Sequence, residues 1–189
     1  MNVTGIILAG GMGRRMGGAD KGLLQFHGKP LVTHVLERLR PQVEGILLNA
    51  NREIESYQAF GYPVISDAIG GFAGPLAGLH CGMMAAKTPL VVTVPCDSPF
   101  LPVDLVQRLL LAMEKHQADL AVAKTGDQPH PVFCLCRTAL LPDLTRFLES
   151  GGRKIDAWYA GLKTVEVQFD DEAEAFANFN TPAELEAAA

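Results

Sequence analysis

Two rhythms of apolar positions alternate along the chain. Short solid runs, apolar at nearly every position, predict strands buried on both faces, whereas runs spaced three and four apart predict helices with one covered side. Val3 to Ala9 is of the first kind, β-branched at Val3, Thr4, Ile6 and Ile7. Leu31, Val32, Val35, Leu36 and Leu39 are of the second kind, with Pro30 suited to a first helical turn. The alternation continues with a strand over Val43 to Asn49, a short polar helix near Arg52 to Phe60, and a strand over Pro63 to Ser66. The next helix runs from Pro75 to Lys87. Leu90 to Val94 reads as a strand halted by Pro95 and Pro99, which leaves Asp97 just past its end.

The second half repeats the scheme. A helix from Pro102 to about His116 covers Val103, Val106, Leu109, Leu110 and Met113 on one side. Asp119 to Ala123 and Val132 to Cys136 are further strands, followed by helices near Thr138 to Ser150 and Arg153 to Ala160 and a strand over Lys163 to Phe169. Thr181, Pro182 and Glu184 match a capping box at the start of a last helix. Strands alternating with helices predict a single α/β domain over 1–189, three layers deep, with a mostly parallel central sheet between helices. Such sheets bind ligands beyond the carboxyl ends of their strands, where Gly10, Asn49, Asp67 and Asp97 then lie.

Composition narrows the function. The 189 residues are 48% hydrophobic and 20% charged, and the formal net charge is −5. That balance fits a folded chain without the broad positive field of a general nucleic-acid or membrane-surface binder. No apolar run approaches the roughly 20 residues that span a bilayer, and the opening lacks a basic segment before its apolar stretch, so a cytoplasmic location is expected. Cys81, Cys96, Cys134 and Cys136 match neither CxxC nor zinc-finger spacing and read as reduced, mostly buried thiols.

The chemistry concentrates in two places. Eight of the 19 glycines fall between Gly5 and Gly28, a crowding that frees backbone amides to wrap an anion, and Arg14, Arg15 and Lys21 add positive charge there. Lys21 is not flanked as in GxxxxGK[ST], and Met16 stands where GxGxxG needs its third glycine. Asp97, at the other place, suits Mg²⁺, which often takes one or two carboxylates together with substrate phosphates and water. A turn aspartate is the competing reading. Asn49 and Asp67, at neighbouring strand ends, offer acceptors for ring N–H groups or ribose hydroxyls, although each alone is also a common turn residue.

LAGGMGRRMGGADKGLL from Leu8, NAN at 49–51, GPLAGL at 74–79, PCDSPF at 95–100 and NFNTPAEL at 178–185 together resemble the molybdenum cofactor guanylyltransferases, in the expected order over nearly the whole chain. The opening and PCD motifs belong to the wider nucleotidyltransferase superfamily, so the resemblance implies a Rossmann-like nucleotidyltransferase fold. It implies transfer of GMP from GTP to the terminal phosphate of molybdopterin, with release of pyrophosphate and with Mg²⁺ as cofactor. By the same analogy Leu8, Ala9, Gly10, Gly11, Lys21, Asn49, Asp67 and Asp97 contact GTP, and Asp97 also holds the metal. Arg15 and Lys21 grip the β and γ phosphates, Arg14 is held back as a possible surface charge, and Asn178 and Asn180 face the pterin. The nucleotide-binding part then covers about 1–100 and the acceptor-binding part about 101–189. Transient contact with other proteins that handle the cofactor is compatible with membership.

Two further functions stay open on the residues themselves: a cytidylyl or sugar-phosphate nucleotidyltransferase, and a nucleotide or pterin carrier without catalysis. The LAGG opening resembles the guanylyl enzymes, whereas cytidylyl relatives typically read LAAG. His130, in Gln128-Pro-His-Pro131 ahead of a strand, is placed either to orient a substrate phosphate or, as is commoner, to stand as an exposed loop histidine. Cys134 and Cys136 point to one strand face, as a soft metal would need or as two small buried hydrophobes would.

Overall fold

The computed structural model describes residues 2–9, 20–68 and 74–176. Seven strands form one sheet: β1 (Val3–Leu8), β4 (Gly45–Asn49), β5 (Val64–Ile65), β6 (Leu90–Pro95), β7 (Leu120–Thr125), β8 (Gln128–Arg137) and β9 (Thr164–Gln168), in the order β5-β4-β1-β6-β8-β7-β9. All neighbours run parallel except β8, which is antiparallel to both β6 and β7. A separate ribbon pairs β2 (Gln25–Phe26) with β3 (Lys29–Pro30).

The helices are α1 (Leu31–Leu39), α2 (Ile54–Gln58), α3 (Pro75–Ala85), α4 (Leu105–His116), α5 (Leu141–Glu149) and α6 (Ile155–Tyr159). Alternation of side chains along each strand sends them to two cores. On one face Val3, Ile7, Leu48 and Val92 meet Val32, Val35 and Leu39 of α1, Tyr57 of α2 and Leu105, Val106 and Leu109 of α4. On the other, Ile6, Val91, Leu120 and Val122 meet Leu76, Leu79 and Met83 of α3, Leu144 and Leu148 of α5 and Trp158 of α6. Each such side chain withdrawn from water contributes about 1.5–3 kcal/mol, which makes the three-layer arrangement the stable one.

Chain order places the ligand edge. From β1 the chain passes through α1 to β4 and through α2 to β5, moving one way along the sheet, and α3 then carries it back to β6 on the opposite side of β1. The order reverses between β1 and β6, so connections diverge there and a crevice opens beyond the strand ends.

Several boundaries differ from the sequence expectation for identifiable reasons. α4 starts at Leu105 rather than Pro102, because its leading amides are served from outside. Buried Gln42 accepts from the Val106 N–H at 3.0 Å and donates to the Pro102 carbonyl at 2.9 Å. The β2–β3 ribbon escaped the pattern altogether, since two-residue strands carry no period. It turns at His27 and Gly28, both at positive φ (46° and 75°), as a tight hairpin of this hand requires. Pro30 is the residue before α1 rather than within its first turn.

His130 requires a correction. It lies within β8, whose Gln128 to His130 segment pairs with Ala123 to Thr125, and it is half-buried rather than an exposed loop residue. Its ring stacks on Phe176 at 4.8 Å and its Nε2 lies 2.7 Å from the Thr125 hydroxyl. All four cysteines are buried free thiols, and Cys134 and Cys136 sit in the core facing α3 and α5. Among the described residues no helix is long and apolar enough to cross a membrane. The final helix expected from Thr181 lies outside the described residues.

Candidate active site

Four strand ends converge at the reversal point. β1 ends at Leu8 and Ala9, held from both sides: the Cys96 N–H donates to the Leu8 carbonyl at 3.1 Å and the Ala9 N–H donates to the Asn49 carbonyl at 2.8 Å. These bonds fix the floor on which the glycine-rich segment begins. Asp97 stands two residues past the end of β6 and is only 8% exposed.

Lys21 reaches the same place from another direction. It opens a one-turn 3-10 helix (Lys21–Leu23), whose preceding Asp20 accepts from the Gly22 N–H at 3.2 Å. The β2–β3 ribbon comes directly after, with Phe26 buried edge-on against Phe100 (centroids 5.8 Å apart) and its carbonyl 2.8 Å from Nε2 of His34 on α1. Thus anchored, Lys21 places its ammonium 3.1 Å from Oδ2 of Asp97 across 76 residues of sequence. The structure therefore brings together the cation and the carboxylate that the sequence singled out.

The floor beneath this pair is desolvated. Burial pushes the Asp20 carboxyl above the ordinary aspartate value, against the opposing hydrogen bonds from Tyr57 and Gly22. Burial, reinforced by Asp97 and Asp20, pushes the Cys96 thiol far up, and Tyr57 is likewise held as a neutral phenol by burial. Among the described residues no three His, Cys, Asp or Glu side chains cluster as a metal cage. A single buried carboxylate beside a lysine at the strand-end edge is a donor set that suits Mg²⁺, which keeps water and substrate oxygens in its remaining positions. Asp97 fits such an ion.

The second pair, Asn49 and Asp67, is bonded directly: the Asn49 amide donates to Oδ1 of Asp67 at 2.9 Å. Asn51 completes the arrangement. Its amide donates to Oδ2 of Asp67 at 2.8 Å, and its own oxygen accepts the Asp67 N–H at 2.9 Å. Each Asp67 oxygen retains a lone pair for a ligand. α3 closes over this group, because a Cβ on Gly78 would run into the Asn49 amide oxygen and come within 2.5 Å of the Leu8 side chain.

Of the residues expected in the site, Leu8, Ala9, Lys21, Asn49, Asp67 and Asp97 gather along this edge. Gly10, Gly11, Arg14, Arg15, Asn178 and Asn180 lie outside the described residues. Sequence reasoning missed Asn51, Asp20 and Tyr57. Asn51 had a signal, its place two residues beyond Asn49, whereas the contact of Tyr57 with Asp20 spans 37 residues and leaves no local trace.

Residues 5–165 match the family model described as MobA-like NTP transferase domain. The chain is 52% identical to the molybdenum cofactor guanylyltransferase of Cupriavidus taiwanensis, over 98% of this chain and 96% of that one. It is also 52% identical to the enzyme of the same name from Ralstonia nicotianae, over 97% and 94% of the two chains. Among solved structures, molybdopterin-guanine dinucleotide biosynthesis protein A from Archaeoglobus fulgidus superposes with a TM-score of 0.78 at 26% identity, covering 98% of this chain and 96% of that one. Its mostly parallel sheet between helices is the nucleotidyltransferase fold, and the chain belongs to the MobA-like NTP transferase family.

Proposed function

We propose that this protein transfers GMP from GTP to the terminal phosphate of molybdopterin, forming the guanine dinucleotide cofactor and releasing pyrophosphate. The names of the relatives support the substrates, and the observation that carries the chemistry is the Lys21 ammonium 3.1 Å from the Asp97 carboxylate at the crevice between β1 and β6. An acceptor oxygen on the molybdopterin phosphate attacks the α-phosphorus of GTP, the α–β bridging bond breaks, and its electron pair leaves with pyrophosphate. A phosphate monoester is mostly dianionic at neutral pH, its second pKa being about 6, so no side chain is needed as general base. The protein's task is to hold two polyanions together and to neutralise the charge that grows on the leaving group.

Lys21, with Arg15 and the amides of Gly10 and Gly11, takes the β and γ phosphates. Asp97 holds Mg²⁺, which supplies Lewis-acid stabilisation of phosphate oxygens when bound. Leu8 and Ala9 line the nucleotide, while Asn49 and Asp67, oriented by Asn51, take the nucleoside. Asn178 and Asn180 serve the pterin, so donor contacts come from about 1–100 and acceptor contacts from about 101–189. The reading makes the protein a cytoplasmic enzyme that meets other cofactor-handling proteins transiently.

The test is pyrophosphate release from GTP, CTP, ATP and UTP in turn, each with Mg²⁺ and molybdopterin. Release with GTP alone, dependent on both Mg²⁺ and molybdopterin, is expected. Preference for CTP would make the protein a cytidylyl enzyme, and binding without release in any arm would make it a carrier.

A further inference from the structure

Lys21 needs a fixed base from which to present its charge, because a four-carbon stem loses affinity and rate when its root is free to wander. The base visible in the structure is a polar contact in a place where one is expensive. Tyr57, on α2, is wholly buried, and its hydroxyl donates to Oδ1 of Asp20, the residue before Lys21. The same Oδ1 accepts the Gly22 N–H, so one carboxylate oxygen ties the front of the lysine's turn to a helix on the apolar side of the sheet. Gly22 is pressed against this post: a Cβ there would strike the Tyr57 hydroxyl and meet Cβ and Sγ of Cys96 at 3.2 Å. Cys96 is bonded in turn to Leu8 and precedes Asp97.

Stability alone is a poor reason for this arrangement. A carboxylate withdrawn from water to satisfy a buried phenol costs free energy that phenylalanine opposite a neutral residue would avoid. What the contact accomplishes is geometric. It locks the turn's position relative to α2 and the end of β6 at once, which sets where the ammonium of Lys21 lies along the strand-end edge.

We propose that Asp20 and Tyr57 are positioning residues for the phosphate grip, acting through Lys21 and touching no substrate themselves. The inference rests on the reading of Lys21 as a phosphate ligand. It assigns to the Tyr57 hydroxyl a share of GTP affinity and transfer rate that exists only while Lys21 is present.

The experiment is a double-mutant cycle on the full chain with Lys21→Ala, Tyr57→Phe and the pair, read by GTP affinity in Mg²⁺ (isothermal titration calorimetry), by kcat/KM for pyrophosphate release and by Tm. Lys21→Ala is expected to weaken affinity and transfer together. Tyr57→Phe is expected to lower kcat/KM about tenfold at little change in Tm, and to remove nothing further once Lys21 is alanine. Asp20→Ala should reproduce Tyr57→Phe, and Asp20→Asn, which retains the accepting oxygen, should recover most of that loss. Kinetics unaltered by Tyr57→Phe, a loss that adds in full on the Lys21→Ala background, or no recovery with Asp20→Asn would each overturn the proposal. Should Lys21→Ala itself leave affinity and transfer intact, the phosphate role of Lys21 falls first and the positioning role with it.

Discussion

The two sides of the sheet bring different chemistry to the same edge. In β5-β4-β1-β6 every strand points its carboxyl end at the crevice, and charged or amide-bearing residues gather at or just past three of those ends: Asp97, Asn49, Asn51 and Asp67. In β8-β7-β9 only β8, the strand next to β6, runs backward, so its beginning faces that edge. The groups found there are rings. His130 lies against Phe176, Phe176 packs on Phe133 at 4.8 Å and Phe169 at 5.2 Å, and Arg108 lies 3.8 Å over Phe169 while also pairing with Asp171 at 2.9 Å. Across the reversed strand a row of polar strand ends thus gives way to a buried aromatic cluster. One side ends in polar groups at the strand ends, the other in rings that are buried as part of the core.

The sharpest way to break this division is Asp97→Ala. Loss of one preorganised charge costs a factor of about 10² to 10³ in rate. Pyrophosphate release should fall by at least that much while circular dichroism stays native, and turnover preserved in excess Mg²⁺ would remove the metal from Asp97. Next in size is Gly78→Ala. The methyl gains up to about 1 kcal/mol in helix propensity but must displace Leu8 and Asn49, and overpacking costs typically about 1–3 kcal/mol, so a net loss is expected. Urea midpoints and the KM for GTP should both report it, and a stabilised variant with unchanged KM would show that α3 does not brace the nucleotide side.

His130→Ala addresses the opposite side. It removes a stacked ring and a hydrogen bond to Thr125, together worth about 1–2 kcal/mol. Urea midpoints should fall accordingly while the KM for GTP stays unaltered; a raised KM for GTP at unchanged stability would erase the distinction between the two sides.

The smallest effect is a pH dependence. Burial lowers the pKa of His80, whose Nε2 lies 2.9 Å from the Thr145 hydroxyl between α3 and α5. The unfolded chain then takes up the proton first as pH falls. The stability tied to neutral His80 is complete above about pH 6.5 and is lost below it, at no more than about 1.4 kcal/mol per pH unit. Melting curves from pH 7.5 to 5.5 should decline less steeply in His80→Gln.

How far the sequence disclosed these regions depends on what makes each one. Buried parallel strands are solid apolar runs, so β1, β4 and β6 were legible, and with them the strand ends that hold Asn49 and Asp97. The first residues of β8 were not, because Pro129 and Pro131 read as breakers; at that point the strand bulges, with Val122 opposite Cys134 but Ala123 opposite His130. Lys21 was visible as a cation in a glycine-rich stretch. The post beneath it was not, since Tyr57 looks from the sequence like one aromatic residue in a short polar helix.

Gly78 and Gly82 lie one turn apart on α3, and a Cβ on Gly82 would collide with Ile6 as one on Gly78 collides with Leu8 and Asn49. Across that stretch the space between helix and strand admits a glycine hydrogen but not a methyl group. The seating of α3 over Asn49 is therefore gauged by two missing methyl groups: any side chain added there lifts the helix like a shim, and the ledge formed by Asn49 tilts with it.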